Sequence, residues 1–268
     1  EVMDDPERSL IFPDFCKQGV ANDGIKPSHS LSGRFEMGSQ YHFSLETQCC
    51  VCVPIEDGID VYSATQWMDA TQIAIAEALN VNNNYINMQV RRLGGGFGAK
   101  ISRAAQIACA CAVSAFLSKR PVRFVLTLEA NMAIVGKRYS CINHYHTQVD
   151  SEGRILQLDN EYVEDYGCSY NEPAYLTTGF FGNCYDSKAY NVIAKKAKTD
   201  TASNTWCRGP GTLEGIAMIE NIMEHIAWKL NKDPVEVRMA NIPGDSEMRK
   251  YLEDFVKSTG KQLSFVLN

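Results

Sequence analysis

Apolar residues recur along this chain at two different periods, and the two kinds of segment do not alternate strictly. GRFEMGSQYHF (33–43), QCCVCVPI (48–55) and, past the turn EDG, IDVYSA (59–64) read as strands in series. WMDATQIAIAEALN (67–80) reads as a helix. YINMQVRRL (85–93) returns to period two through Ile86, Met88 and Val90. Small apolar residues over 102–118 predict a buried helix, and KRPVRFVLTLE (119–129) another strand. YSCINHYHTQVD and RILQLDNEYVED predict a hairpin across DSEG, with Gly153 making the turn. After a long loop come IAKKAKTDT and TASNTWCRGPG, then the clearest helix, 213–230. There Ile216, Ile219, Met223, Ile226 and Leu230 hold one face by steps of three and four. A shorter helix starts at Asp233, with Pro234 at its first position and Glu236 closing a capping box. The mixture predicts an α+β fold of mixed strands and helices, not a doubly wound Rossmann sheet.

The ends lack this order. Residues 1–30 carry Pro6, Pro13 and Pro27 without a period and read as a connector from a preceding domain. Residues 31–245 form the expected domain, and 246–268 read as the start of a following linker or a truncated end. The chain starts at Glu1 without a methionine and reads as a segment of something longer.

Composition narrows the partners. The net charge is −6, and KKAKTD, the nearest thing to a basic run, sits beside an acid, so nucleic acid is not an expected partner. The longest apolar run, IACACAVSAFL, is too short to span a bilayer, so no membrane partner is expected. The ten cysteines include no C-x-x-C pair and read as buried free thiols of a reducing cytosol. Cys50 and Cys52 share one strand face and Cys49 takes the other, a poor set of ligands for one ion. His144 and His146 share a face too, without a further ligand to complete a metal site.

RRLGGGFGAKISR (91–103) carries the chemistry. Gly94, Gly95, Gly96 and Gly98 allow tight turning and close approach, and the helix behind them opens with unpartnered N–H groups. Gly94, Gly96 and Ala99 satisfy G-x-G-x-x-A. However, Glu129, at the end of the next predicted strand, lies 30 residues past Ala99 instead of about twenty. A P-loop fits less well: Lys100 is present, but Ala99 replaces its glycine and Ile101 its Ser or Thr. A tight turn packed on a sheet is the plainest alternative.

Three separated segments bear on the choice: GSQYHFSLET (38–47), RRLGGGFGAK (91–100) and SNTWCRGPGTLEG (203–215). With SATQWMDATQ and the closing EVRMANI, they resemble the molybdenum-cofactor-binding region of the xanthine dehydrogenase and aldehyde oxidase family, from about Gly33 to Ile242. The resemblance implies that Gly95, Gly96, Phe97 and Gly98 lie against molybdopterin. It implies that Gln40 hydrogen-bonds an oxygen on molybdenum and that Arg208 faces cofactor and substrate, giving both a catalytic role. The metal would be held through molybdopterin, not by a side chain.

Departures from the pattern fall in the substrate pocket. Ile101 stands where xanthine dehydrogenases carry a glutamate. Counting back from Asn183, Cys184 and Tyr185, Leu176 stands where they carry an arginine. Pro210 takes the place of a loop aromatic. These changes imply an aldehyde oxidase, with WCRGPGTLEGIAM resembling insect-type enzymes most, acting on a small-molecule aldehyde. The family's glutamate base, 2Fe–2S clusters and FAD would belong to other parts of a cytoplasmic, homodimeric parent. This chain would supply one wall of the site and be inactive alone; the alternatives are a purine hydroxylase fragment of the xanthine dehydrogenase type and a non-catalytic, truncated globular fragment.

Overall fold

The computed structural model describes residues 5–22, 24–170, 172 and 176–259. The period-two segments pair into two separate mixed sheets. The elements in chain order are β1 (Ser9–Ile11), β2 (His29–Met37), β3 (Cys49–Ile55), β4 (Gly58–Ser63), α1 (Met68–Leu79), β5 (Ile86–Gln89), α2 (Arg103–Ser118), β6 (Val122–Val125) and α3 (Leu128–Ile134). Then follow β7 (Cys141–Val149), β8 (Ile155–Asp165), α4 (Leu176–Phe181), β9 (Tyr190–Ala197), α5 (Thr212–Leu230), α6 (Pro234–Asn241) and α7 (Glu247–Thr259). The fold is α+β.

The five-stranded sheet runs β1-β9-β8-β7-β2, antiparallel except for β8 beside β9. The four-stranded sheet runs β5-β4-β3-β6, antiparallel except for β4 beside β5. Each parallel pair is joined by a connection containing a helix, as parallel neighbours require. Helix α5 lays Met218, Ile219, Ile222, Met223 and Ile226 on Tyr145, Leu158, Tyr162 and Tyr190 of the larger sheet. The smaller sheet packs Cys50, Cys52, Ile59 and Val61 against Ala108, Cys111, Ala112 and Ala115 of α2. Small residues on the helix face let helix and sheet pack closely.

Several expectations need correction. GRFEMGSQYHF leaves the sheet after Met37, so Gln40 precedes a loop and not a strand. The backbone there bonds to other loops: the Gln40 carbonyl accepts the Arg138 N–H at 2.9 Å, and Phe43 turns at φ 51°. The 119–129 strand stops at Val125, because the Thr127 side chain accepts the Ala130 N–H and starts α3. Glu129 is therefore helical, not at a strand end. The 85–93 strand likewise stops at Gln89. The segment read as connector contributes β1, and the stretch read as linker contributes α7 over 247–259; residues 260–268 lie outside the described residues. Asp233 caps α6 through the Val235 N–H, as its sequence predicts.

Candidate cofactor site

Four irregular segments meet beside the two sheets: 38–46, 94–101, 136–138 and 203–211. Their backbones are pressed together. A Cβ on Gly98 would stand 2.2 Å from the Trp206 carbonyl oxygen, and Gly98 has φ +102°. A Cβ on Gly136 would stand 2.0 Å from the Ser203 carbonyl oxygen. Bare backbone at these points serves the protein's own loop-to-loop contact, whatever ligand lies beyond.

The glycine loop is braced from behind. Gln66 accepts the Gly98 N–H at 3.0 Å with its Oε1, and its own N–H donates to the Lys100 carbonyl at 2.7 Å. A Cβ on Gly96 would collide with that Gln66 side chain at 2.5 Å. Lys100 is buried and donates to Glu46 Oε2 at 2.6 Å; the same oxygen accepts the Gly94 N–H at 3.0 Å. Burial works against ionisation of Glu46, but Lys100 and the Gly94 amide outweigh it and hold the carboxyl below its usual range. Lys100 is thus committed inside the protein, which removes the phosphate-gripping role a P-loop would give it.

The outward side of the loop is different. Among the described residues, the N–H groups of Gly95, Gly96 and Phe97 have no acceptor. Gly95 at φ +96° and Phe97 at φ 55° alternate with ordinary conformations, the pattern that turns successive amides toward one anion. The Phe97 ring is 43% exposed. The Arg208 guanidinium lies 4.2 Å from that ring's centroid, and its backbone N–H donates to the Phe97 carbonyl at 3.0 Å. Arg208 also donates to the His42 carbonyl at 2.9 Å. His42 itself is buried, and its Nε2–H donates to the Trp206 carbonyl at 2.7 Å. Burial lowers the His42 pKa, and nearby Arg138 and Arg208 lower it further, so the ring is a neutral strut.

Gln40, Phe97 and Arg208 are thus joined in one hydrogen-bonded cluster, and Gly98 packs beside it against the Trp206 carbonyl. The link from Gln40 is Arg138, which the sequence did not signal. Its Nε–H donates to Gln40 Oε1 at 3.2 Å, one terminal nitrogen to the Arg208 carbonyl at 2.7 Å and the other to Glu214 Oε1 at 3.0 Å. Arg138 and Glu214 are buried, at 2% and 0% exposure. Leu176 and Pro210 are both half-buried, and Pro210 precedes Gly211, whose Cβ would touch Leu176 at 3.0 Å. Ile101, also half-buried, closes the turn from Gly98, donating its N–H to that carbonyl at 3.1 Å.

Further acids lie behind this face. Glu164 is completely buried and accepts the Thr177 hydroxyl at 2.5 Å; desolvation pushes its carboxyl up to about 8, against the Thr177 bond and with help from Glu214's charge. Glu172 accepts from Ser102 and Thr205 and pairs with Arg103 at 3.6 Å. Period two on β8 did carry a signal for Glu164, since it shares a face with Leu156, Leu158 and Tyr162. The remaining thiol cluster is chemically distinct: Cys111 joins Cys50 and Cys52 with all three sulfurs within 4.8 Å. The three are set among alanine, valine and isoleucine, where ionised thiolates would lack counter-charges. They pack as small apolar groups.

Backbone amides without acceptors among the described residues, flanked by a carboxamide and a guanidinium, suit an oxygen-rich anionic cofactor approached mainly through its edge. Molybdopterin, with its pterin heteroatoms and phosphate, fits that set of donors. Residues 4–242 match the family described as "Molybdopterin cofactor-binding domain". The chain belongs to the molybdenum hydroxylase family of xanthine dehydrogenases and aldehyde oxidases. It is 32% identical over 257 residues to a xanthine dehydrogenase of Dictyostelium discoideum, covering 94% of this chain and 19% of that protein. It is 34% identical over 215 residues to an indole-3-acetaldehyde oxidase of Zea mays, covering 79% and 16%. The chain thus spans about a fifth of the length of such relatives. Its fold matches quinoline 2-oxidoreductase from Pseudomonas putida 86, with TM-score 0.78 and 19% identity over 87% of this chain and 33% of that one. It also matches the aldehyde oxidoreductase of Desulfovibrio gigas, with TM-score 0.77 and 19% identity over 94% and 29%. No helix among the described residues is long and apolar enough to cross a membrane.

Proposed function

We propose that this chain forms one wall of an active site that oxidises small aldehydes to carboxylic acids. The observation that carries the choice of substrate is the pair Ile101 and Leu176, apolar side chains at two positions where a purine-oxidising site needs polar partners. A site that must hydrogen-bond a substrate rejects analogues strongly only when its polar groups are present. Pro210, which precedes Gly211 in the same loop, adds a third apolar side chain. When bound, molybdopterin supplies the metal centre at which oxygen is transferred and electrons are taken up. The amides of Gly95, Gly96 and Phe97 line its binding edge, and Gly98, whose N–H is held by Gln66 Oε1, lets the loop close behind them. Gln40 offers an N–H to an oxygen on the metal without adding charge. Arg208, steadied on Phe97, favours negative charge developing on the substrate oxygen.

In this proposal a glutamate base, 2Fe–2S clusters and FAD belong to other parts of a cytoplasmic, homodimeric enzyme. A purine-oxidising parent is the second reading, favoured by xanthine dehydrogenases that are as similar to this chain as the aldehyde oxidases are. The test is kcat/KM of the complete enzyme for benzaldehyde and for hypoxanthine. Aldehyde-favouring values support the proposal; equal or purine-favouring values replace it with the second reading.

A further inference from the structure

Gln40 sits on an exposed loop outside any strand, yet its proposed task requires one particular end of its amide to face the cofactor. A carboxamide presents either its carbonyl or its NH₂, and a flexible loop residue has no intrinsic preference between them. Arg138 supplies one. A guanidinium has five N–H donors and no acceptor, so whatever atom of Gln40 faces it must be the carbonyl oxygen. That contact is the 3.2 Å bond from Nε to Oε1. The same two residues are joined again through the main chain, where the Arg138 N–H donates to the Gln40 carbonyl at 2.9 Å. Two bonds fix both where Gln40 stands and how its amide is turned.

Arg138 can do this because it cannot move. It is buried, and its other arms are taken by the Arg208 carbonyl and by Glu214. Glu214 stands in the first turn of α5, where a carboxylate is favoured by the helix end. Its side chain is completely buried, and among the described residues Oε2 has no hydrogen-bond partner. One rigid guanidinium therefore references Gln40 and the Arg208 loop to the first turn of the longest helix.

We propose that Arg138 is a positioning residue for the molybdenum site: it turns the Gln40 carbonyl inward, leaves the NH₂ for an oxygen on the metal, and sets the spacing between Gln40 and Arg208. This rests on the reading of Gln40 given above. Arg138 acts through its neighbours and is not itself a catalytic residue.

The experiment uses the complete enzyme and reads turnover per bound molybdenum, molybdenum content, thermal melt and crystal structure. Gln40→Ala gives the reference, a fall in kcat of roughly ten- to a hundredfold with little change in KM. Arg138→Met combined with Glu214→Gln removes both charges together, so neither is stranded. It is expected to match the Gln40→Ala loss, and adding Gln40→Ala to it should cost nothing more, because both changes remove one oriented donor. Its crystal structure should show the Gln40 amide turned. Gln40→Glu supplies a check that folding trouble at Arg138 cannot blur. It should pair with Arg138 and melt no lower than wild type, keep its molybdenum, and still turn over as slowly as Gln40→Ala, since it presents no N–H. Wild-type turnover in Gln40→Ala would overturn the reading of Gln40 and this inference with it. With Gln40→Ala slow, three outcomes would each overturn the positioning role alone. These are full turnover per molybdenum in the Arg138 variant, losses that multiply on combination, or a Gln40→Glu enzyme that melts lower and loses its metal.

Discussion

The glycine loop and the Arg138–Glu214 junction face the same site, and they are built on opposite principles. The loop is made of backbone, stays open on one side and works by lacking atoms. The junction is made of two long charged side chains, is sealed from water and works by having every arm of Arg138 engaged. The loop is therefore broken by adding atoms and the junction by taking them away. Sequence motifs report the first kind of construction well. They barely report the second, because an arginine in GKRYS looks like any surface cation until a partner 76 residues away closes on it.

The largest effect expected from breaking the loop is at Gly98. Gly98→Val puts a β-branched side chain at φ +102°, with its Cβ 2.2 Å from a carbonyl that belongs to a neighbouring loop's backbone. Neither side can yield cheaply. The complete enzyme carrying it should contain no molybdopterin and should melt well below wild type. Gly96→Val sharpens the contrast, since its collision is with the flexible end of Gln66. Gln66 can swing away, although it then abandons the Gly98 N–H. Molybdenum content should fall less there than in Gly98→Val; equal losses would mean that the space in front of the loop, and not the packing behind it, is what glycine protects.

At the junction, deletion is the damaging change. Glu214→Ala leaves the Arg138 cation buried without its counter-charge, a situation that costs roughly 3–5 kcal/mol. Glu214→Gln keeps an acceptor for Arg138 and should cost less, on the order of 1–3 kcal/mol for a charged bond weakened. Chemical denaturation of the two variants beside wild type measures the difference. Indistinguishable variants would show that the carboxylate's charge, and not its shape or a neutral acceptor, is what the junction uses.

Glu164 gives the next effect, and it depends on pH. Its folded-state carboxyl is raised to about 8, while the unfolded chain releases the same proton near 4.5. Between those values the folded protein holds a proton that the unfolded one has lost, so stability falls as pH rises, by roughly 1.4 kcal/mol per unit for this group alone. The stabilising share is complete below 4.5 and gone above about 8. Glu164→Gln removes the dependence. The variant should match wild type near pH 4.5 and exceed it increasingly up to pH 8, with a constant gap beyond. A gap that does not change with pH would mean that Glu164 is ionised in the folded protein.

How much of this was readable in the residues differs from element to element for physical reasons. The hairpin predicted at 139–150 and 154–165 is found at Cys141–Val149 and Ile155–Asp165, and the helix predicted at 213–230 at Thr212–Leu230. Long segments repeat their pattern often enough to be unambiguous. The six-residue α4 has too few turns to show a period, and α3 was hidden because Val122, Phe124 and Val125 give VRFVLTLE a strand composition up to its capping Thr127. The loop from Gly38 to Phe43 looked like a strand because its aromatics mimic one; tertiary bonds to Arg138 and Trp206 decided otherwise. In the site, Gln40, the glycines and Arg208 were legible through motif resemblance. Arg138, Gln66 and Glu46 were not, since bracing residues act at long sequence range and obey no spacing.

The smallest effect is expected at Ile101, and it bears on the substrate and not on the frame. Ile101→Glu restores one of the two polar partners that a purine would need, and leaves Leu176 apolar beside Gly211. One partner is insufficient, because the purine's opposite edge still meets hydrocarbon and loses its water without compensation. Purine turnover should stay low. Aldehyde turnover should fall by roughly ten- to a hundredfold in kcat/KM, the usual worth of an apolar pocket contact of this size. Unlike Gly98→Val, the change should leave molybdenum content and melting temperature near wild type, because Ile101 is half-buried and its tie to the loop is a main-chain bond. Steady hypoxanthine oxidation by the Ile101→Glu enzyme would show that a single carboxylate defines the purine site. Leu176 would then have no part in substrate choice.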